Sequence, residues 1–138
     1  MKKLYSTEAT AVSGREGHAR SADGVLDLDL AVPAEMGGKG GKATNPEQLF
    51  AAGYAACFGS AVRAVAAKKH APLREVEITA KVDLGQTDGG DFQLAVQLTG
   101  KFPGMSESEA MEIMRAAHEV CPYSRATRGN IDVELRTA

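Results

Sequence analysis

The sequence predicts an α+β fold with mainly antiparallel sheet, and three observations lead to it. Segments that alternate apolar and polar residues occur as a group near the start and as a close pair in the middle of the chain. Two helical segments, one long and apolar and one amphipathic, separate these groups. Strands therefore follow one another in runs instead of alternating regularly with helices, as they would around a parallel sheet. With 138 residues, 43% hydrophobic and 25% charged, the chain reads as a single domain, residues 1–138, with enough apolar surface for a real core.

Tyr5 to Val12 alternates small or apolar residues with Ser6, Glu8 and Thr10, a strand pattern. Ser13–Gly17 reads as a turn, His18–Ser21 as a short polar strand, and Ala22-Asp23-Gly24 as the next turn. Leu26, Leu28, Leu30 and Val32 then share one face of a half-buried strand, with Asp27 and Asp29 on the other, and Pro33 ends it. Gly37–Lys42 is a glycine-rich connection. It is not a phosphate-binding loop, because three residues instead of four separate Gly37 from Gly41, and Ala43 follows Lys42.

Asn45 is placed to cap a helix with Pro46 at its first position, Glu47 in its first turn and Gln48 third, close to a capping box. That helix is expected to reach about Lys69. It carries no charge from Leu49 to Val62, so it needs cover on every side, and a second subunit is the natural source of some of it. Glu75–Leu84 and the strand from Phe92 to Leu98 form a β-hairpin around Thr87–Gly90, with Phe92, Leu94, Val96 and Leu98 on one face. Pro103-Gly104 breaks the second strand. Ser106 and Glu109 make a capping box for a second helix with Ala110, Ile113, Met114, Ala117, Val120 and Cys121 on its apolar face. Pro122 stops it, and Ile131, Val133 and Leu135 mark a last strand.

A net charge of −2 with no basic block argues against nucleic acid as the main partner. No apolar leader follows Met1, and the Leu49–Val62 run is shorter than a bilayer core of about 30 Å requires. The expectation is a cytoplasmic protein without a membrane partner. In that setting two cysteines are not a purely structural staple. They are either buried inert thiols or a working pair, and Cys57, in the middle of the uncharged helix, is the candidate reactive thiol.

A cysteine inside a helix gains little from the dipole, so its thiolate needs a cation. Arg15, Arg20, Arg125 and Arg128 are the candidates, each also readable as a solvated surface charge. His118 stands three residues before Cys121 and is either its assistant or a packed, hydrogen-bonded imidazole. A zinc site from Cys57, Cys121 and His118 is one ligand short and lacks CxxC-type spacing, so no metal is expected.

Thr44-Asn45-Pro46-Glu47-Gln48-Leu49-Phe50-Ala51-Ala52-Gly53-Tyr54 leading to Cys57, with His118–Ser124 and Ala126–Val133, resembles the organic hydroperoxide resistance proteins. These form the hydroperoxide-specific branch of a superfamily shared with the osmotically inducible peroxidases. The likeness includes the Gly14-Arg15 turn and the Ser21-to-Leu26 segment, and so covers nearly the whole chain. Where the second motif usually has Asn between Ser and Ala, this chain has Arg125, an added cation near Cys121.

The resemblance implies a thiol peroxidase built as an intertwined homodimer, its sheets wrapped around two long central helices. It implies Cys57 as peroxidatic and Cys121 as resolving cysteine, Arg15 holding the thiolate and Glu47 orienting Arg15. It implies no bound cofactor: an external dithiol, a lipoyl group on a lipoylated protein, reduces the disulfide. In that scheme Cys57 takes the distal peroxide oxygen and becomes a sulfenic acid, which Cys121 condenses to a disulfide. Phe50, Tyr54, Phe58 or Met36 would supply an apolar lining favouring organic, including fatty-acyl, hydroperoxides, although each also reads as core packing.

Glu47 and Cys57 lie ten residues apart on one helix. That is about 15 Å along its axis, at about 100° per residue, so the two point in different directions. If both serve one site, Glu47 must reach the Cys57 of another subunit, with the two long helices antiparallel. Two other readings remain: a carrier of apolar ligands with inert thiols, and a redox sensor whose disulfide changes a partner surface.

Overall fold

The computed structural model describes every residue, Met1–Ala138. The chain divides into two compact units, Met1–Leu49 and Phe50–Ala138. The structure bears out the α+β class, with two main helices and sheets of mixed direction.

In the first unit, β1 (Ala9–Val12), β2 (His18–Ser21) and β3 (Asp27–Asp29) form an antiparallel sheet in that order. The predicted first strand is shorter than its alternation suggests, because residues 1–8 make no ladder and Leu4 and Tyr5 stay exposed. The β1–β2 turn is sterically determined. Ser13 and Gly14 both take positive φ, 61° and 56°. A Cβ on Gly17 would lie 1.8 Å from the Val12 carbonyl oxygen, so only glycine fits there.

The strand expected to run to Pro33 stops at Asp29. Leu30 instead donates its N–H to the Gly17 carbonyl and makes an isolated parallel bridge to Thr44. Of the predicted apolar face only Leu30 is buried, while Leu26 is exposed and Leu28 half-buried. An alternating strand whose apolar side is open is a surface awaiting cover.

Helix α1 spans Pro46–Lys68, as its cap predicts: the Asn45 Oδ1 accepts from the Gln48 N–H at 2.9 Å. The Gln48 side chain turns to the Thr44 hydroxyl at 2.8 Å, which replaces the return bond of a full capping box. α1 is long and apolar enough to cross a membrane by length and composition alone. Its Tyr54, Phe58, Val62 and Ala66 are instead enclosed in protein core, and it carries Glu47, Arg63 and Lys68.

In the second unit, β4 (Glu77–Gln86) and β5 (Phe92–Lys101) pair antiparallel from Glu77↔Lys101 to Gln86↔Phe92, the predicted hairpin shifted two residues at its start. β6 (Val133–Thr137) pairs with β5 in parallel, which requires a crossover. That crossover is α2 (Glu107–Val120) followed by α3 (Pro122–Thr127). α2 begins with the predicted capping box of Ser106 and Glu109, and it packs on β6. Tyr54, Phe58 and Val62 meet Val96 and Leu98 of β5 and Ile113, Met114 and Ala117 of α2 in one core. Each large side chain so enclosed stabilises the fold by about 1.5–3 kcal/mol.

Two expectations need correction. Phe92 begins β5 beyond the reach of the core and is 73% exposed. Val120 is 56% exposed, because it lies at the edge of the buried face as α2 ends. Helix α3 was not predicted at all. Pro122 both stops α2 and starts α3, where a missing N–H at the first helical position costs nothing.

Candidate active site

Cys57 sits in the fourth turn of α1, half-buried, and Cys121 forms the junction between α2 and α3 with no exposed surface. Cys121 has extended backbone, φ −67° and ψ 126°, serving at once as the C-cap of α2 and the N-cap of α3. This kink turns its side chain to α1, and the Cys121 thiol donates to the Cys57 Sγ at 3.7 Å. Both are free thiols. A disulfide needs about 2.05 Å, a closure within reach of side-chain rotation.

Burial pushes the Cys57 thiol above its ordinary value, since the charged form loses solvation. The Tyr123 backbone N–H opposes this by hydrogen-bonding the sulfur. Tyr123 is the second residue of α3, where backbone N–H groups have no partner inside the helix. Cys121 raises Cys57 further, because two thiolates cannot coexist at 3.7 Å. Nothing in the Phe50–Ala138 unit therefore makes Cys57 a thiolate at neutral pH. A thiolate at Cys57 would need a neighbouring cation.

Behind the cysteines lies a closed hydrogen-bond network. The Tyr54 hydroxyl bonds Ser124 Oγ at 2.9 Å and Thr127 Oγ1 at 3.1 Å, while Ser124 Oγ also bonds His118 Nδ1 at 2.9 Å. Arg128 donates to the His118 carbonyl oxygen. All of these polar atoms are satisfied, so the network ties α1, α2 and α3 together around the cysteine pair. His118 is thus a hydrogen-bonded imidazole facing Ser124.

Burial, then the nearby Arg128, lower the His118 pKa, whereas Asp29 and then Asp27 raise that of His18 on the first unit's sheet. The signs differ in consequence. His118 binds fewer protons folded than unfolded, so its contribution to stability fades as pH falls below about 6.5. His18 contributes below about 6.5 and loses that contribution as pH rises through its raised value. An NMR titration is expected to place the two imidazoles on opposite sides of the ordinary value. A coincident pair of titrations contradicts the assignment.

Arg15 and Glu47 lie together in the first unit. The guanidinium grips the carboxylate in a two-pronged ion pair, Nη1 to Oε2 at 2.8 Å and Nη2 to Oε1 at 2.6 Å. Arg15 holds the Glu47 carboxyl below its usual range. The left-handed Ser13-Gly14 pair projects Arg15 from the β1–β2 turn, and the α1 cap at Asn45 fixes Glu47. Arg15 donates two of its five N–H groups to Glu47, which leaves three for another acceptor.

A groove of about 630 Å³ opens at Cys57. Ala61, Ala64, Val65 and Lys68 line it along α1, with Ala116 and Val120 opposite. The aromatic residues expected in a lining lie elsewhere. Tyr54 and Phe58 are fully enclosed in the core, and Phe50 packs edge-on to Tyr54 with ring centroids 5.9 Å apart. Met36 is exposed in the first unit, beside the glycine-rich loop. Of the other candidate cations, Arg128 is tied to Glu119 and the His118 carbonyl, and Arg20 lies against Gly24. Arg125 is exposed on α3. No group of three or more His, Cys, Asp or Glu side chains is placed to hold a metal ion.

Sequence reasoning missed Tyr123, Ser124 and Thr127. The signal was present, since Pro122 at a helix start leaves the following N–H groups free.

Residues 38–136 match the family described as OsmC-like protein. An organic hydroperoxide resistance protein of Xanthomonas axonopodis pv. citri is 54% identical over 138 residues, covering 99% of this chain and 96% of the relative. The crystal structure of an organic hydroperoxide resistance protein OsmC from Legionella pneumophila matches with a TM-score of 0.93, at 52% identity over 99% of both chains. Another from Vibrio cholerae, with captopril bound in one of its active sites, matches with a TM-score of 0.92 at 46% identity, over 99% of this chain and 94% of that one. This chain belongs to the OsmC-like superfamily that includes the organic hydroperoxide resistance proteins.

Proposed function

We propose that the chain is a thiol-dependent peroxidase that reduces organic hydroperoxides to alcohols in the cytoplasm, as part of the response to oxidative stress. The observation that carries this reading is the unequal exposure of the thiol pair. Cys57 opens on an apolar groove, and Cys121 is enclosed 3.7 Å from it. A peroxide reaches Cys57, and Cys121 meets only what Cys57 becomes.

The Cys57 thiolate attacks the terminal oxygen of R–O–O–H and the O–O bond breaks. R–O⁻ leaves and takes a proton to become the alcohol, while Cys57 keeps the hydroxyl as a sulfenic acid. Cys121 then attacks that sulfur, a disulfide forms and water leaves, before a second peroxide over-oxidises Cys57. An external dithiol, a lipoyl group on a lipoylated protein, exchanges with the disulfide and restores both thiols. No bound metal or cofactor takes part. Arg15 supplies the missing cation, and Glu47 holds its guanidinium in a fixed orientation.

A homodimer completes the site. Glu47 and Cys57 are separated by about 15 Å on one helix, so Arg15 and Glu47 serve the partner's Cys57 and the two α1 helices cross antiparallel. Gln48, Ala52 and Ala56 form an exposed i, i+4 stripe on α1, and Ala52 stands midway between Glu47 and Cys57. Small side chains there suit a close crossing about a two-fold axis. The exposed Leu26 and half-buried Leu28 of the first unit's sheet supply a further surface for the partner to cover.

The direct experiment is consumption of cumene hydroperoxide with dihydrolipoamide or with thioredoxin as reductant. Sustained turnover with dihydrolipoamide is expected, and slow or no turnover with thioredoxin. Ligand binding in the groove without peroxide consumption would favour the carrier reading instead.

A further inference from the structure

Cys121 is held within reach of Cys57 by a slight piece of structure. α3 has six residues, too few for an isolated helix to be stable, so its direction is set by what it packs on. The contacts that hold it to α1 fall on Phe50, Gly53 and Tyr54. With Cys57 these stand at i, i+3, i+4 and i+7 and share one stripe of the helix. The Ser124 and Thr127 hydroxyls bond the Tyr54 hydroxyl, and the Tyr123 ring packs on Phe50 and Tyr54 with centroids 6.2 Å and 5.7 Å away.

The ring reaches that depth because position 53 has no side chain. A Cβ on Gly53 would lie 3.0 Å from the Tyr123 hydroxyl oxygen, 3.3 Å from Cε2 and 3.4 Å from Cζ. Glycine is a poor choice for a helix interior, so position 53 of α1 is set by the ring it admits. Pro122, with its fixed φ, joins Tyr123 stiffly to Cys121. A ring pushed outward therefore moves the Cys121 thiol, together with the Tyr123 N–H that meets the Cys57 sulfur.

We infer that Gly53 is a positioning residue: by seating the Tyr123 ring on α1, it sets the approach of Cys121 to Cys57. The consequence for turnover rests on the peroxidase reading. A sulfenic acid at Cys57 either condenses with Cys121, releasing water, or takes a second oxygen from another hydroperoxide, which leaves as the alcohol. A well-seated Tyr123 favours the first outcome.

The test enlarges position 53 in steps, Gly53→Ala and Gly53→Val, each alone and with Tyr123→Ala. The first readout is the equilibrium with glutathione, in which the protein dithiol and one oxidised glutathione give the protein disulfide and two reduced glutathiones. It measures the effective concentration of the two thiols. A misplacement of about 1 Å costs about 10²-fold, so the few tenths that alanine forces should cost about fivefold, and valine more. The second readout is alkylation of Cys57 by iodoacetamide, resolved by mass spectrometry, whose midpoint should rise by about half a pH unit as the N–H bond loosens.

The Tyr123→Ala protein should itself close its disulfide less readily, and adding Gly53→Ala to it should change either readout little, because the ring is gone. The melting temperature of Gly53→Ala should hold or rise, as alanine favours the helix. Equal readouts in wild type and Gly53→Val overturn the inference, as does a Gly53→Ala effect of the same size with and without the Tyr123 ring. Losses that depend on protein concentration also overturn it, since Gly53 would then face a partner protomer. Neither readout uses a peroxide. Both effects present, with no cumene hydroperoxide turnover in wild type, support the seat and count against the peroxidase reading alone.

Discussion

Replacing Cys57 with serine is expected to lower hydroperoxide turnover at least about a thousandfold, to background, because the group removed is the nucleophile itself. Serine nearly matches cysteine in volume, so the enclosure of the neighbouring Phe58 and Tyr54 is retained. Cys121→Ser separates the steps. It puts a hydroxyl into a fully enclosed position at a cost of about 1–2 kcal/mol, while Cys57 and its groove remain.

In Cys121→Ser the first oxidation should proceed at close to the wild-type rate. Sustained turnover with dihydrolipoamide should fall sharply, and mass spectrometry should find Cys57 carrying two added oxygens, since the sulfenic acid has no thiol beside it. A Cys57→Ser protein with undiminished turnover would remove the basis of the peroxidase reading. A Cys121→Ser protein that cycles normally would remove the disulfide from it.

The second large effect is expected at Arg15. Burial raises the Cys57 pKa, and the Tyr123 N–H answers it only in part. If Arg15 supplies the balance, Arg15→Ala should cut turnover by about 10²–10³-fold, the scale of losing one preorganised charged donor. It should also move the midpoint of Cys57 alkylation by iodoacetamide upward, so that alkylation at neutral pH slows. That direction is required because a positive neighbour lowers a thiol's pKa and its removal raises it.

Lysine should substitute poorly, because one ammonium cannot reproduce the two-pronged grip on Glu47 while also facing a sulfur. Glu47→Gln should show a smaller loss in the same direction, as it keeps the cation and loosens its aim. An Arg15→Ala protein whose alkylation profile is unshifted would place Arg15 outside the site.

Much of this arrangement was legible in the sequence because local chemistry encodes it. The Asn45-Pro46 cap, the Ser106/Glu109 capping box and the period-2 hairpin each depend on neighbours within a few residues, and all appear, the hairpin shifted two residues at its start. The Arg15–Glu47 pair spans 32 residues, and composition or periodicity alone could not place it. The family resemblance suggested it, and the coordinates bring the two together.

What was misread has physical causes. The face of Leu26, Leu28 and Leu30 alternates like a half-buried strand, yet the chain buries only Leu30 fully and leaves Leu26 exposed. Tyr54 and Phe58 are aromatic residues near the thiol, but at i+4 spacing they face the core while Cys57 faces the groove. Helix α3 is six residues long, too short for its apolar periodicity to register, and only Pro122 announced it. The tie from Tyr54 to Ser124 spans 70 residues and has no local signature at all.

The central claim is that each site joins Arg15 and Glu47 of one protomer to Cys57 of the other, and subunit mixing tests it most directly. Cys57→Ser and Arg15→Ala proteins, each inactive alone, are combined in equal amounts and allowed to exchange subunits. Half of the dimers then carry one subunit of each kind. If the sites are composite, such a dimer has one site with both intact residues, and the mixture recovers about one quarter of wild-type turnover. If Arg15 serves the Cys57 of its own chain, every site in the mixed dimer carries one lesion. Turnover then stays at background despite demonstrated exchange, and the composite site is refuted.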